Sequence, residues 1–176
     1  MWMIKFFIKN FNLIEINMAD FRILKDAKAW FKDVYSKDEG FIIDFEAYYF
    51  CLMAGLATGQ KRLELSTSDT NELVQHFPGN YKDKSKIIVS VFLARHLASL
   101  GVTLTDKKIA HNEISKLISP NSPNHLSEDG MKEMNKYAAA GYDQIISWFE
   151  ERPRTLESFL RIYSIKLESN SIEISI

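Results

Sequence analysis

Residues 43–58 constrain the fold more than any other segment. From Ala47 to Ala57 the chain reads Ala-Tyr-Tyr-Phe-Cys-Leu-Met-Ala-Gly-Leu-Ala, eleven consecutive residues without a charge. A helix over 43–58 is therefore nearly apolar all round, and such a helix must be covered on every side, by its own bundle or by a large interface. The run is well short of the roughly 18 residues that a membrane span requires. The segment thus predicts a buried central helix, with Phe45, Tyr48, Tyr49, Leu52, Met53 and Leu56 as core contacts. Asp44 or Glu46 falls in its first turn, where the helix dipole favours an anion. Gly55 weakens a helix interior, and close packing of a second helix accounts for it.

Helical periodicity continues on both sides. Leu24, Ala27, Phe31 and Val34, widened by Trp30, predict a helix over 22–36, with Gly40 available for a left-handed exit. A short helix over 69–76 is expected to use Asp69 or Thr70 as cap and Leu73 as anchor. Ile87, Ile88, Val91, Phe92, Leu97 and Leu100 give an apolar face to 83–100, and Gly101 supplies the stop. Thr105 is expected to cap the next helix, which runs through Ile109, Ile114, Leu117 and Ile118 to Pro120. After the Ser/Pro/Asn-rich loop at 119–125, Ser127 caps a long helix ending near Arg152, before Pro153. A last helix covers 154–167. The fold class that follows is mainly α: a compact bundle of six or more helices, forming one domain over 18–168. Residues 1–17 read as a strand or an N-terminal extension. Residues 169–176 read as a short strand or tail, because Ser171 to Ile176 alternate strictly.

Composition narrows the class further. Lys and Arg number 22 against 23 Asp and Glu, a net charge of -1, which argues against a protein that coats nucleic acid non-specifically. A local basic patch is compatible with that balance. Cys51 is the sole cysteine, so no intrachain disulfide or CxxC knuckle can form, and a reducing, cytoplasmic compartment is expected. Within its apolar run Cys51 reads as a small buried hydrophobe. The apolar stretch Met1 to Ile8 is interrupted by Lys5 and has no small-residue cleavage site after it, so neither a signal peptide nor membrane association is expected.

The sequence lacks phosphate-binding glycine loops, a GxSxG elbow, an HExxH pair and an EF-hand loop. His76, His96, His111 and His125 are too far apart for a local metal pair, and His111-Asn112-Glu113 is followed by Ser115 where a zinc motif needs histidine. Asp44, Glu46 and Glu64, with Lys61 between them, outline a small metal-dependent hydrolase or nuclease. Asp44 and Glu46 at i,i+2 do not share a helix face, so capping and salt bridging are the preferred reading. No catalytic residue, cofactor or metal is assigned, and the chain is expected not to be an enzyme.

Two surfaces remain. Lys82, Lys84, Lys86, Lys107 and Lys108 sit near two helix entrances and form a candidate nucleic-acid-binding set, against the plainer reading of an ordinary solvated face. Trp148 and Phe149, flanked by Tyr142 and Tyr163 and rimmed by Arg152, Arg154 and Arg161, form a candidate protein interface, since aromatics and arginine dominate interface hot spots. The preferred expectation is a non-catalytic helical accessory subunit that scaffolds or regulates a larger intracellular complex. Its protein partner is expected to be a nuclease or an ATPase, with nucleic acid contacted directly or through the complex. The Ile/Lys/Asn-rich usage points to a microbial source and to a prokaryotic antiviral-defence or DNA-maintenance setting. A nucleic-acid-binding helical module is the first alternative, and the small metal-dependent hydrolase the second.

Overall fold

The predicted central helix is present. In the computed structural model, which describes residues 20–36 and 38–171, it spans Asp44–Thr58 and is buried along most of its length. Glu46 turns its carboxylate back to accept the backbone N–H of Ile43 at 3.0 Å, and Gly59 ends the helix with φ 67°. In chain order the elements are β1 (Arg22–Leu24), α1 (Lys25–Trp30), α2 (Asp44–Thr58), β2 (Thr70–Glu72), α3 (Ser85–Ser99), α4 (Lys107–Leu117), α5 (Glu128–Trp148) and α6 (Leu156–Asn170). The fold is mainly α, with six α-helices among the described residues. The expectations for 1–17, and for the alternating tail beyond Ser171, lie outside the described residues.

The long helix α5 is the main partner of α2. Ser127 caps it by accepting the N–H of Gly130 at 3.0 Å. Its Met131, Met134, Tyr137, Ala138, Tyr142 and Ile145 face the core. At the crossing, a Cβ on Gly55 would overlap the Tyr137 carbonyl, and one on Gly141 would overlap the Cys51 carbonyl, so both positions need glycine. Helix α6 closes the other side of α2 through Phe159 and Tyr163, and Tyr163 donates its hydroxyl to the Phe50 carbonyl at 2.9 Å. Thr155 caps α6 by accepting the Ser158 N–H. An aromatic mesh packs against α2 in two groups, Phe21 with Phe45 and Phe77, and Phe31 with Trp30, Phe41 and Phe159. Cys51 is fully buried, as its apolar neighbours suggested.

Several local expectations are corrected. The 22–36 segment is not one helix. Residues Arg22–Leu24 pair antiparallel with Thr70–Glu72, and the helix begins only at Lys25 and breaks before the single turn Lys32–Val34. Pairing with a distant strand satisfies the backbone that the periodicity had given to a helix. For the same reason 69–76 is not helical: a short turn at Thr67–Asp69 leads into β2. Gly40 is not left-handed; it is required because a Cβ there would meet the Val34 carbonyl. Thr105 does not cap α4, which starts at Lys107 after Asp106. Ile87 is 67% and Leu100 49% exposed, so neither belongs to the core face of α3. Gly101 does supply the left-handed stop, with φ 66°.

Candidate functional site

The three acids of the hydrolase reading do not converge. Asp44 pairs with Lys28 at 3.1 Å, Glu46 caps its own helix, and Glu64 is exposed. Lys61 is bound to Glu133 at 2.9 Å. Among the described residues no group of three His, Cys, Asp or Glu side chains could hold a metal ion. That alternative loses the arrangement it required.

The aromatic anchors are corrected as well. Tyr142, Trp148 and Tyr163 are 5%, 8% and 4% exposed, and belong to the core. Trp148 meets Tyr163 edge-on at 5.9 Å, and Phe149 stacks on Phe159 at 5.7 Å while touching Trp30. The physical reason is the mesh around α1 and α6, which takes up these rings internally. Arg152, Arg154 and Arg161 do remain at the surface. Arg152 borders a depression with Asp26, Glu150 and Glu151, and Arg154 borders another with Asp33, Glu39 and Glu157.

Apolar surface is instead left open at the corner joining α3 to α4. Leu100, Leu104 and Ile109 are 49%, 54% and 53% exposed within ten residues of chain. Lys107 and Lys108, both exposed, open α4 beside them. The corner therefore has apolar centres and a charged rim of Lys107 and Lys108 with the exposed Asp106.

Of the other lysines in the basic set, all are exposed, but the structure separates them. Lys82 and Lys86 line a concave pocket of about 810 Å³ together with His76, Phe77, Gly79, Asp83, Ser85, Pro123 and His125. Lys84, Lys107 and Lys108 are not in its wall. The pocket is built where the turn after β2 meets the 119–125 loop. Asn124, 2% exposed, holds these segments together: its Nδ2 donates to the Gln75 carbonyl at 3.1 Å, and its Oδ1 accepts from the Leu126 N–H and the Ser122 hydroxyl. His125 follows with φ 65°, the one non-glycine positive φ among the described residues. Such a conformation is costly and persists where the surroundings enforce it.

A second polar cluster had no local sequence motif. Glu133 bridges Lys61 and Lys136 at 2.9 and 2.6 Å, and its carboxylate lies 4.0 Å from Nδ1 of the buried His96. Burial would raise the Glu133 pKa, but hydrogen bonds from Lys136 and Lys61 outweigh it and hold the carboxyl below its ordinary value. Burial and the Lys61 charge push His96 down, against the pull of Glu133 and Glu113. His96 Nδ1 and the Tyr137 hydroxyl are buried without a hydrogen-bond partner among the described residues. The only sequence signal was the i,i+3,i+4 spacing of Glu133, Lys136 and Tyr137; Lys61 and His96 arrive from other elements. Arg95 is buried and donates to the Leu56 and Ala57 carbonyls at the end of α2, where the dipole favours a cation.

No helix among the described residues is long and apolar enough to cross a membrane. No family model matches the chain, and neither a curated protein nor a solved structure matches it.

Proposed function

We propose that this chain is a non-catalytic helical accessory subunit that binds a second protein through the α3–α4 corner. The observation that carries this reading is the exposure of Leu100, Leu104 and Ile109 beside Lys107 and Lys108. Apolar centres with a charged rim are the anatomy of a protein interface, and two lysines against the one acid, Asp106, favour a partner with an acidic surface. The fate of the acids agrees with it: Asp44, Glu46 and Glu133 pair with lysines or cap a helix. The partner belongs to the class expected from the sequence, a nuclease or an ATPase of a prokaryotic antiviral-defence or DNA-maintenance complex.

The test is purification of the tagged full chain from its native host, followed by mass determination of the intact assembly. The expected result is one added polypeptide at fixed stoichiometry, lost on Leu100→Ser/Leu104→Ser/Ile109→Ser substitution with an unchanged circular dichroism spectrum. A single chain, a homo-oligomer, or an assembly indifferent to the triple substitution would refute the reading.

A further inference from the structure

We propose that His96 makes the α3–α4 corner acid-labile: when its imidazole takes up a proton, the last turn of α3 opens and the binding surface of Leu100, Leu104 and Ile109 comes apart. The regulatory meaning rests on the corner being the binding surface; the opening itself is a property of the isolated chain. Its first support is a charge cluster with no place for another cation. His96 is 7% exposed, and its Nδ1 has no hydrogen-bond partner among the described residues. The charged side chains that act on it come from three elements: Lys61 after α2, Glu113 of α4, and Glu133 and Lys136 of α5. Helix α2 adds none there, because its two acids, Asp44 and Glu46, stand in its first turn. Lys61 also lies 5.6 Å over the ring of Tyr137, the remaining titratable side chain on this part of α5. Both carboxylates are already engaged. Glu133 accepts from Lys61 at 2.9 Å and from Lys136 at 2.6 Å, and Glu113 pairs with Lys116 at 2.7 Å. Three ammonium groups thus share two acids before the histidine titrates. The Glu133 carboxylate is 4.0 Å from Nδ1, beyond hydrogen-bond reach. A protonated His96 is then a buried cation without a free counter-ion, and such a group is driven toward water.

The second support is the route by which water reaches the ring. His96 stands one turn before the end of α3 at Ser99, and helix ends are where local opening costs least. The turn that covers it is closed on His96 itself: the Leu100 N–H and the Ser99 hydroxyl both donate to the His96 carbonyl. Gly101 then turns left-handed with φ 66°, and the Val102 N–H returns to the Leu97 carbonyl at 3.0 Å. Among residues 97–100 only Leu97 is buried, and it stands outside the main core cluster. Unwinding this turn hydrates the imidazolium at the loss of a few hydrogen bonds and one buried leucine. Leu100 belongs to the turn and Leu104 to the segment it leads into, so the movement that frees the ring also separates both from Ile109 of α4. The surface is therefore assembled at neutral pH and dispersed on the acid side, which releases a bound partner.

The test is amide hydrogen exchange of the isotope-labelled full chain, alone, followed by NMR at about pH 7.5 and about pH 5.5, with each rate divided by that of the unstructured amide. An exposed histidine titrates near about 6.5, so the open state gains up to about tenfold in population between these pH values. The Leu100, Gly101 and Val102 amides are expected to lose close to about tenfold in protection, while staying less protected than Leu52 and Leu56 of α2, which report global unfolding. Amides in the last turns of α6 open without moving His96 and should hold within about twofold. His96→Gln should abolish the loss at the corner. Lys61→Gln removes one ammonium and leaves Glu133 a share for the imidazolium, so it should cut the loss to about half or less. A corner that keeps its protection at pH about 5.5, that loses it equally in His96→Gln, or that opens only together with Leu52 and Leu56 overturns the proposal. Should His96→Gln fail to fold, an undiminished loss in Lys61→Gln overturns it alone. None of these results touches partner capture at neutral pH, and failure to capture a partner leaves the acid opening as measured.

Discussion

Gly55 of α2 and Gly141 of α5 meet backbone to backbone at the crossing of the two longest-buried helices. A Cβ on Gly141 would stand 2.5 Å from the Gly55 nitrogen, and one on Gly55 would be 3.3 Å from the Gly141 nitrogen. Neither glycine is left-handed. Their role is steric: they let two helices approach closely enough for Cys51, Leu52 and Tyr137 to share one core.

Gly141→Ala is therefore expected to destabilise the fold although alanine is the better helix former. The propensity gain is about 1 kcal/mol. The overlap is with backbone and cannot be relieved by turning a side chain, so overpacking of about 3 kcal/mol or more should dominate. Urea denaturation reads the balance; a stabilised variant would show that the helices are free to separate.

Asn135 links the small sheet to the bundle. Its Oδ1 accepts the Arg22 N–H at 3.1 Å and the Tyr48 hydroxyl at 3.0 Å, and its Nδ2 donates to the Asp20 carbonyl at 2.9 Å. Asn135→Leu strands several buried groups at once and should cost about 2–4 kcal/mol, whereas Tyr48→Phe removes one bond and should cost about 1 kcal/mol. If the two substitutions prove equally costly in chemical denaturation, the bonds to Arg22 and Asp20 contribute nothing.

The contrast between Gly55 and Asn135 marks how far the sequence was legible. The apolar run around Gly55 predicted a buried helix and a close helical neighbour, because that information is local. The pairing of Arg22–Leu24 with Thr70–Glu72 was not legible: three-residue strands have too little period to compete with the helical spacing of Leu24, Ala27 and Phe31. Site residues divide in the same way. Lys82 and Lys86 are visible as a basic run with His76 just before them, but His125 joins them only across the chain, where Asn124 bonds the Gln75 carbonyl. An aromatic pair before Pro153 has the composition of a hot spot, which points to Trp148 as an anchor; composition does not tell which side of a helix its neighbours cover.

Trp148 and Leu104 now carry opposite expectations. Trp148→Ala should lower stability by about 3–5 kcal/mol, as loss of a buried aromatic does. Leu104→Ser should leave stability within about 0.5 kcal/mol, because the side chain is largely in solvent, yet weaken partner association. Thermal melting beside quantitative association with the purified partner separates the two effects. A marked loss of stability in Leu104→Ser would move that residue from the surface to the core.

His96 should give the fold a pH-dependent stability on the acid side of neutrality. Burial and Lys61 lower its pKa from 6.5, while Glu133 and Glu113 pull it back up and Lys136 adds to the lowering. The folded state therefore stays neutral at pH values where the unfolded chain has already bound a proton. Stability from this group is full above the unfolded value and declines as pH falls through it, until the folded histidine also protonates. Glu133, held below its ordinary value of 4.5, adds a decline only at more acid pH. His96→Gln keeps a polar side chain of similar reach but has no proton to gain. Urea midpoints measured at about pH 8 and about pH 5.5 should differ more in the native chain than in His96→Gln, with the native chain the weaker at the acid end. Equal differences in the two proteins would mean that His96 titrates alike folded and unfolded, and that its burial beside Lys61 does not disfavour the charged ring.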